Sequence, residues 1–175
     1  MGPSKRFKIL PGILLVASLA GWPGSGEAHH RPDHTGGPGQ AIVTEVQALK
    51  FGLLVPGVSG GTLTVSETGA VSPTGTVVSL GGTSQAQVSV NSCVGSVTTM
   101  GLTNGIVTGP GGTLNITNLT CIGPGGTSGA GGCTYSGTAG TDVVSVGGLI
   151  TLPAGTTPGI YTGTIDVFGH HNPPC

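Results

Sequence analysis

Apolar and polar residues alternate with a period of two over residues 159–168. Tyr161, Ile165 and Val167 share one face, and Thr162, Thr164 and Asp166 the other. That pattern predicts a strand with one buried and one wet side. Gly163 interrupts the buried face, as glycine does where another backbone comes close or a bulge sits. The alternation recurs upstream. Residues 41–55 form a first strand region, with Leu49, Phe51, Leu53 and Val55 on one face. Residues 62–66 turn Leu63 and Val65 inward, and residues 76–80 put Val78 and Leu80 on one side. Residues 85–90 set Ala86, Val88 and Val90 against Gln85, Gln87 and Ser89. A weaker strand over 94–102 precedes an Asn104-Gly105 turn. Residues 113–120, 133–136, 142–146 and 149–152 complete the set, around a glycine-rich loop over 123–132.

These are about nine short strands separated by Gly/Pro turns, with no helical stretch downstream of residue 28, which predicts an all-β sandwich or barrel. Tyr161 follows the Pro158-Gly159 turn at the start of a late strand. A tyrosine there matches the tyrosine corner of immunoglobulin-like β-sandwiches, so that architecture is the expected one. Phe51, Gly52, Tyr161 and Gly163 are its candidate structural residues. The core would consist mainly of Val, Leu, Ile and Ala.

The amino terminus changes the picture. Lys5, Arg6 and Lys8 precede an apolar run over 9–20 that is short for a bilayer span, and two small-residue patterns follow, ending at Ala20 and Ala28. This is the layout of a secretory signal peptide. Gly21-Trp-Pro-Gly24 would break a helix ahead of the second pattern, which favours a signal over 1–28. A flexible extension over 29–40, a sandwich domain over 41–168 and a His/Pro/Cys tail over 169–175 then follow. The protein is expected to be exported, to the periplasm, cell surface or medium, with no membrane insertion once the signal is removed.

Only 6% of the 175 residues are charged. Removal of 1–28 leaves Arg31 and Lys50 against Asp33, Glu45, Glu67, Asp142 and Asp166, a formal charge of −3. Two cations cannot neutralise a row of phosphates, which excludes nucleic acid as a partner. The four cysteines, Cys93, Cys121, Cys133 and Cys175, are an even number in an exported chain, and disulfides are expected among three pairings. Cys121 and Cys133 flank one loop and close most easily; Cys93 with Cys175 follows by elimination.

Six segments, in order, resemble a bacterial family known as domain of unknown function 4402. They are Leu49-Lys-Phe-Gly52, Gly60-Gly-Thr-Leu-Thr-Val-Ser66, Gly69-Ala-Val-Ser-Pro-Thr-Gly75, Ala86-Gln-Val-Ser-Val90, Val146-Gly-Gly-Leu149 and Gly159-Ile-Tyr-Thr-Gly-Thr-Ile-Asp-Val167. The resemblance covers residues 41–168. It implies an exported β-sandwich similar to fimbrial and spore-coat-U-like pilin subunits, and brings no catalytic residues. The family closes with a longer strand, whereas here Phe168 gives way to Gly169-His-His-Asn-Pro-Pro-Cys175.

Three chemistries bear on the role of the chain. A nucleophilic triad needs a histidine on a rigid scaffold, yet His29, His30, His34, His170 and His171 all lie near the ends. Glu45, Glu67, Asp142 and Asp166 sit on separate predicted elements and read as solvated edge residues, so no enzyme and no cofactor is expected. The five histidines could instead form a copper or zinc site in a periplasmic metal-binding protein, neutral imidazole being a good ligand for both ions. The third chemistry is assembly with itself or related subunits by strand addition, with residues 41–46 as the donor strand. The expected role is a secreted structural or surface-interaction protein, such as a fimbria-like subunit or adhesin.

Overall fold

The computed structural model describes the backbone of residues 27–30 and the chain over 39–175. The predicted signal up to residue 26 and residues 31–38, His34 included, lie outside the described residues. Among the described residues the regular elements are all strands. In chain order they are β1 (Glu27–His30), β2 (Val43–Gln47), β3 (Leu49–Phe51), β4 (Leu53–Val55), β5 (Gly61–Val65), β6 (Val71–Pro73), β7 (Val78–Ser79) and β8 (Thr83–Ser84). There follow β9 (Ala86–Ser92), β10 (Val97–Gly109), β11 (Gly112–Ile122), β12 (Gly129–Ala130), β13 (Gly132–Ser136), β14 (Gly140–Leu152), β15 (Gly159–Ile160) and β16 (Thr162–Asn172).

The fold is a β-sandwich-like arrangement. One layer runs β8-β3-β1-β16-β10, with β13 and the start of β11 on the far side of β10. The other runs β2-β9-β14-β11, with β5 and β6 beside the later half of β14. A small third sheet, β15-β4-β7, caps one end. Strand β11 joins the layers: residues 112–115 pair with β10 and residues 116–122 with β14. A strand that changes sheets in this way makes a corner.

The predicted alternation is clearest in β9, where Ala86, Val88 and Val90 are buried. Leu63, Val65, Ile165 and Val167 face the same core. Each such aliphatic side chain contributes about 1.5–3 kcal/mol when fully buried. Both disulfides form as expected, Cys121–Cys133 and Cys93–Cys175. The first ties β11 to β13 and the second ties the end of β9 to the end of β16, so each links one layer to the other. The cysteines they join are 12 and 82 positions apart in the chain. In the chain-entropy treatment those lengths correspond to about 3 and about 4–5 kcal/mol.

Several expectations are corrected by the backbone. Gly52 has φ +72°, and a Cβ there would collide with the Gly81 carbonyl. The chain turns at this glycine, so Leu49 and Phe51 are buried but Leu54, not Leu53 or Val55, is the next core residue. Val77 is inside, while Val78 and Leu80 are exposed. Asn104-Gly105 makes no hairpin turn. It lies within β10, where the pairing to β16 shifts between Thr103 and Ile106, and the inward side changes from Met100 and Leu102 to Val107. That is the signature of a β-bulge. The hairpin turn sits instead at Pro110-Gly111, between paired Gly109 and Gly112.

The two predicted strands over 142–146 and 149–152 are one strand, β14. It pairs with β9 up to Val146 and with β5 from Gly148. At Gly147 a Cβ would sit 2.5 Å from the backbone of residues 65–67, so only glycine lets the chain leaving β5 pass. The predicted tail over 169–175 is also revised, because β16 continues to Asn172. Within the loop over 123–132, β12 pairs with Thr120 and Cys121.

Tyr161 is buried, and its hydroxyl donates to the Thr157 carbonyl at 3.0 Å and accepts the Gly111 N–H at 3.0 Å. It fastens the β10–β11 turn to the approach of β16.

Replacement of Gly52 separates strain from crowding. Gly155 also has a positive φ, +76°, but open space around it. Gly155→Ala should cost about 1 kcal/mol from backbone strain alone. Gly52→Ala should cost at least about 2 kcal/mol more, read as a lower urea midpoint at unchanged slope. Equal midpoints for the two variants would contradict this account of the turn.

Candidate functional site

Strand β1 stands between β3 and β16. It runs parallel to β16, with Ala28 opposite Gly163, His29 opposite Thr164 and His30 opposite Ile165. It runs antiparallel to β3, with Glu27 opposite Lys50 and Ala28 opposite Leu49. Beyond β3 the layer continues only to β8. β1 therefore joins the β3–β8 pair to the rest of its layer. Beneath this position lie Leu49, Phe51 and Ile165, each at most 1% exposed. Gly163 pairs on both sides, with Ala28 of β1 and Val107 of β10.

The edge of β16 is covered in two places. β1 covers residues 163–165. Further along, the His171 N–H donates to the Gly39 carbonyl at 2.7 Å, Gln40 bridges His170, and the Ala41 N–H donates to the Gly169 carbonyl at 3.0 Å. The chain then crosses to the other layer, where the Asn91 N–H donates to the Ile42 carbonyl and β2 pairs with β9. Residues 41–46 are thus paired within their own sandwich. Of the predicted flexible extension, residues 29–30 close β1 and residues 39–40 dock on β16.

The histidines do not converge. The register puts His30 five positions along β16 from His170, about 17 Å at strand spacing. His170 is exposed and His171 is buried. Among the described residues no group of three His, Cys, Asp or Glu is placed to hold a metal ion. Among the described residues the register keeps His29 and His30 apart from His170 and His171.

His171 belongs to a buried polar row near the Cys93–Cys175 end. Thr98 of β10 pairs in register with His171 of β16 on one side and Tyr135 of β13 on the other. The Thr98 hydroxyl and His171 Nδ1 are 3.0 Å apart, and His171 Nε2 has no partner among the described residues. Ser92 and Asp142, also buried, complete the row from the other layer. Burial pushes the Tyr135 hydroxyl above its usual acidity constant of 10.0, and its oxygen has no hydrogen-bond partner among the described residues. The Asp142 carboxylate accepts the Thr138 N–H at 3.1 Å and the Thr138 hydroxyl at 2.5 Å. Burial works to raise the Asp142 pKa, but hydrogen bonds from Ser92 and Thr138 outweigh it and hold the group below 3.8. Asp142 is thus a core anchor of the β13–β14 turn, not the solvated edge residue expected.

The other acids are scattered. Glu67 accepts the Thr120 hydroxyl at 2.8 Å, and the Ser128 and Thr120 hydroxyls hold its pKa below the usual value against partial burial. Asp166 is exposed on the outer face of β16, and Glu45 lies on β2 at the opposite edge of the other layer. Asp142 and His171 were legible in principle. Asp142 is in phase with Val144 and Val146, and His171 is in phase with Ile165 and Val167.

Because its pKa is depressed in the fold, Asp142 stabilises the protein above the unfolded value of 3.8, and that contribution is lost as pH falls through the lower folded pKa. Asp142→Asn should lose about 1–3 kcal/mol at pH 7, and its deficit against the parent should shrink at pH 3. Urea midpoints at both pH values read this directly; a deficit independent of pH would contradict it.

Residues 42–168, well over half of the chain, match the family described as Domain of unknown function (DUF4402). Neither a curated protein nor a solved structure matches. The match spans the sandwich from β2 to Phe168 of β16 and leaves β1 outside it. The chain belongs to the DUF4402 family.

Proposed function

We propose that this protein is an exported structural or surface-interaction subunit, pilin-like in type, that works by accepting a strand from another chain and not by catalysis. The observation that carries this reading is the position of β1. A strand from outside the family domain sits between β3 and β16 and supplies the pairing for both. Main-chain pairing of this kind gives affinity with little demand on sequence, which suits assembly from like subunits. The hydrogen bonds of Tyr161 support an immunoglobulin-like type of sandwich. The two disulfides are consistent with export, and no helix among the described residues is long and apolar enough to cross a membrane.

Light scattering over a hundredfold range of concentration, in the presence and absence of a peptide copying residues 25–31, tests the reading. Assemblies should grow with concentration, and the peptide should return them to monomers. A protein that stays monomeric throughout, with or without peptide, would overturn it.

A further inference from the structure

Glu27 and Ala28 of β1 are the last two residues of Gly26-Glu27-Ala28, one of the two small-residue patterns at which the sequence predicts processing. The register divides at the next bond. Glu27 and Ala28 provide all of the pairing to β3, at Lys50 and Leu49. His29 and His30 pair only with β16, at Thr164 and Ile165. We infer that the Ala28–His29 peptide bond is a proteolytic processing site whose cleavage opens the strand position between β3 and β16. The inference rests on the proposed reading of that position as a strand acceptor.

Hydrolysis consumes one water. The amide C–N bond breaks, Ala28 leaves with the new carboxylate, and His29 keeps the new amine. Every residue paired to β3 departs with the leader. What remains is a two-residue segment, paired on one side and ending in an amine that is largely protonated at neutral pH. Two one-sided residues do not hold a strand in place, because ordering each costs about 1–2 kcal/mol of backbone entropy. The Leu49–Phe51 edge then loses its partner next to a buried core, and such an edge recruits another strand. Cleavage after Ala20 has the opposite result. It leaves Glu27–His30 whole and the position filled by the chain itself. The choice between the two patterns therefore separates a self-complete domain from one that lacks a strand.

The test uses the full chain, exported from a bacterial host, beside an Ala28→Leu variant whose larger side chain spoils the second pattern. Intact mass and amino-terminal sequencing give the processing site, and backbone hydrogen exchange reads Leu49, Lys50, Thr164 and Ile165. The parent should begin at His29, and those of these amides that point toward β1 should exchange at least about tenfold faster than in the variant, which keeps Glu27 and position 28. A parent beginning elsewhere, or equal exchange in the two proteins, would overturn the inference. Binding of a fluorescent peptide copying residues 25–31 separates this from the strand-acceptor reading. Uptake by the parent and not by the variant supports both. Fast exchange in the parent without peptide uptake keeps the processing site and removes strand acceptance.

Discussion

A buried backbone amide or carbonyl left without a partner costs about 1–3 kcal/mol, and this sandwich is organised by the need to avoid that cost. Its interior is aliphatic and offers few polar side chains to a stray backbone group. Pairing must come from neighbouring strands. β16 is the clearest case, since β10 lines one edge and two separate segments, β1 and residues 39–41, divide the other. β14 meets the same need by changing partners from β9 to β5 along its length. The small residues of the family motifs belong to this economy: Gly52 turns the chain from β3 into β4, and Gly147 lets the backbone after β5 cross β14.

The polar groups that do enter the core are placed by the same rule. Asp142 satisfies the Thr138 amide at the β13–β14 turn, and Thr98 bonds the Nδ1 of His171 between paired strands, leaving its Nε2 without a partner among the described residues. The row lies where Cys93–Cys175 ties the two layers together. At the opposite end, Tyr161 bonds two backbone groups that a turn would otherwise leave open. Both ends are fastened, whereas the β3–β16 gap depends on four residues that precede the domain. That contrast is why the proposed strand acceptance is placed at the gap and not at the polar row.

Alternation identified the strands well where one face is wet. β9 and β16 read correctly because serine, glutamine, threonine and aspartate mark their outer sides. Reading failed where the phase changes inside a strand. Val77, Leu54 and Val107 each follow a bulge or a positive-φ glycine, and a shift of one residue inverts every side chain after it. Asp142 is in phase with core residues but reads as solvated because charged groups usually face water, and His171 reads as part of a polar tail beyond the last strand. Their burial depends on partners from other strands, and no local pattern carries that information.

The amino-acid sequence by itself determined the strand-rich class, the even cysteine set and the segments shared with the DUF4402 family, because these follow from local periodicity, composition and short motifs. The tertiary structure decided which strand fills which gap. Register and neighbour choice depend on contacts between residues far apart in the chain. Glu27 and Ala28 read as the end of a leader, and only the fold sets them against Lys50 and Leu49. Residues 41–46 read as strand-forming, and only the fold gives them β9 and β16 as neighbours.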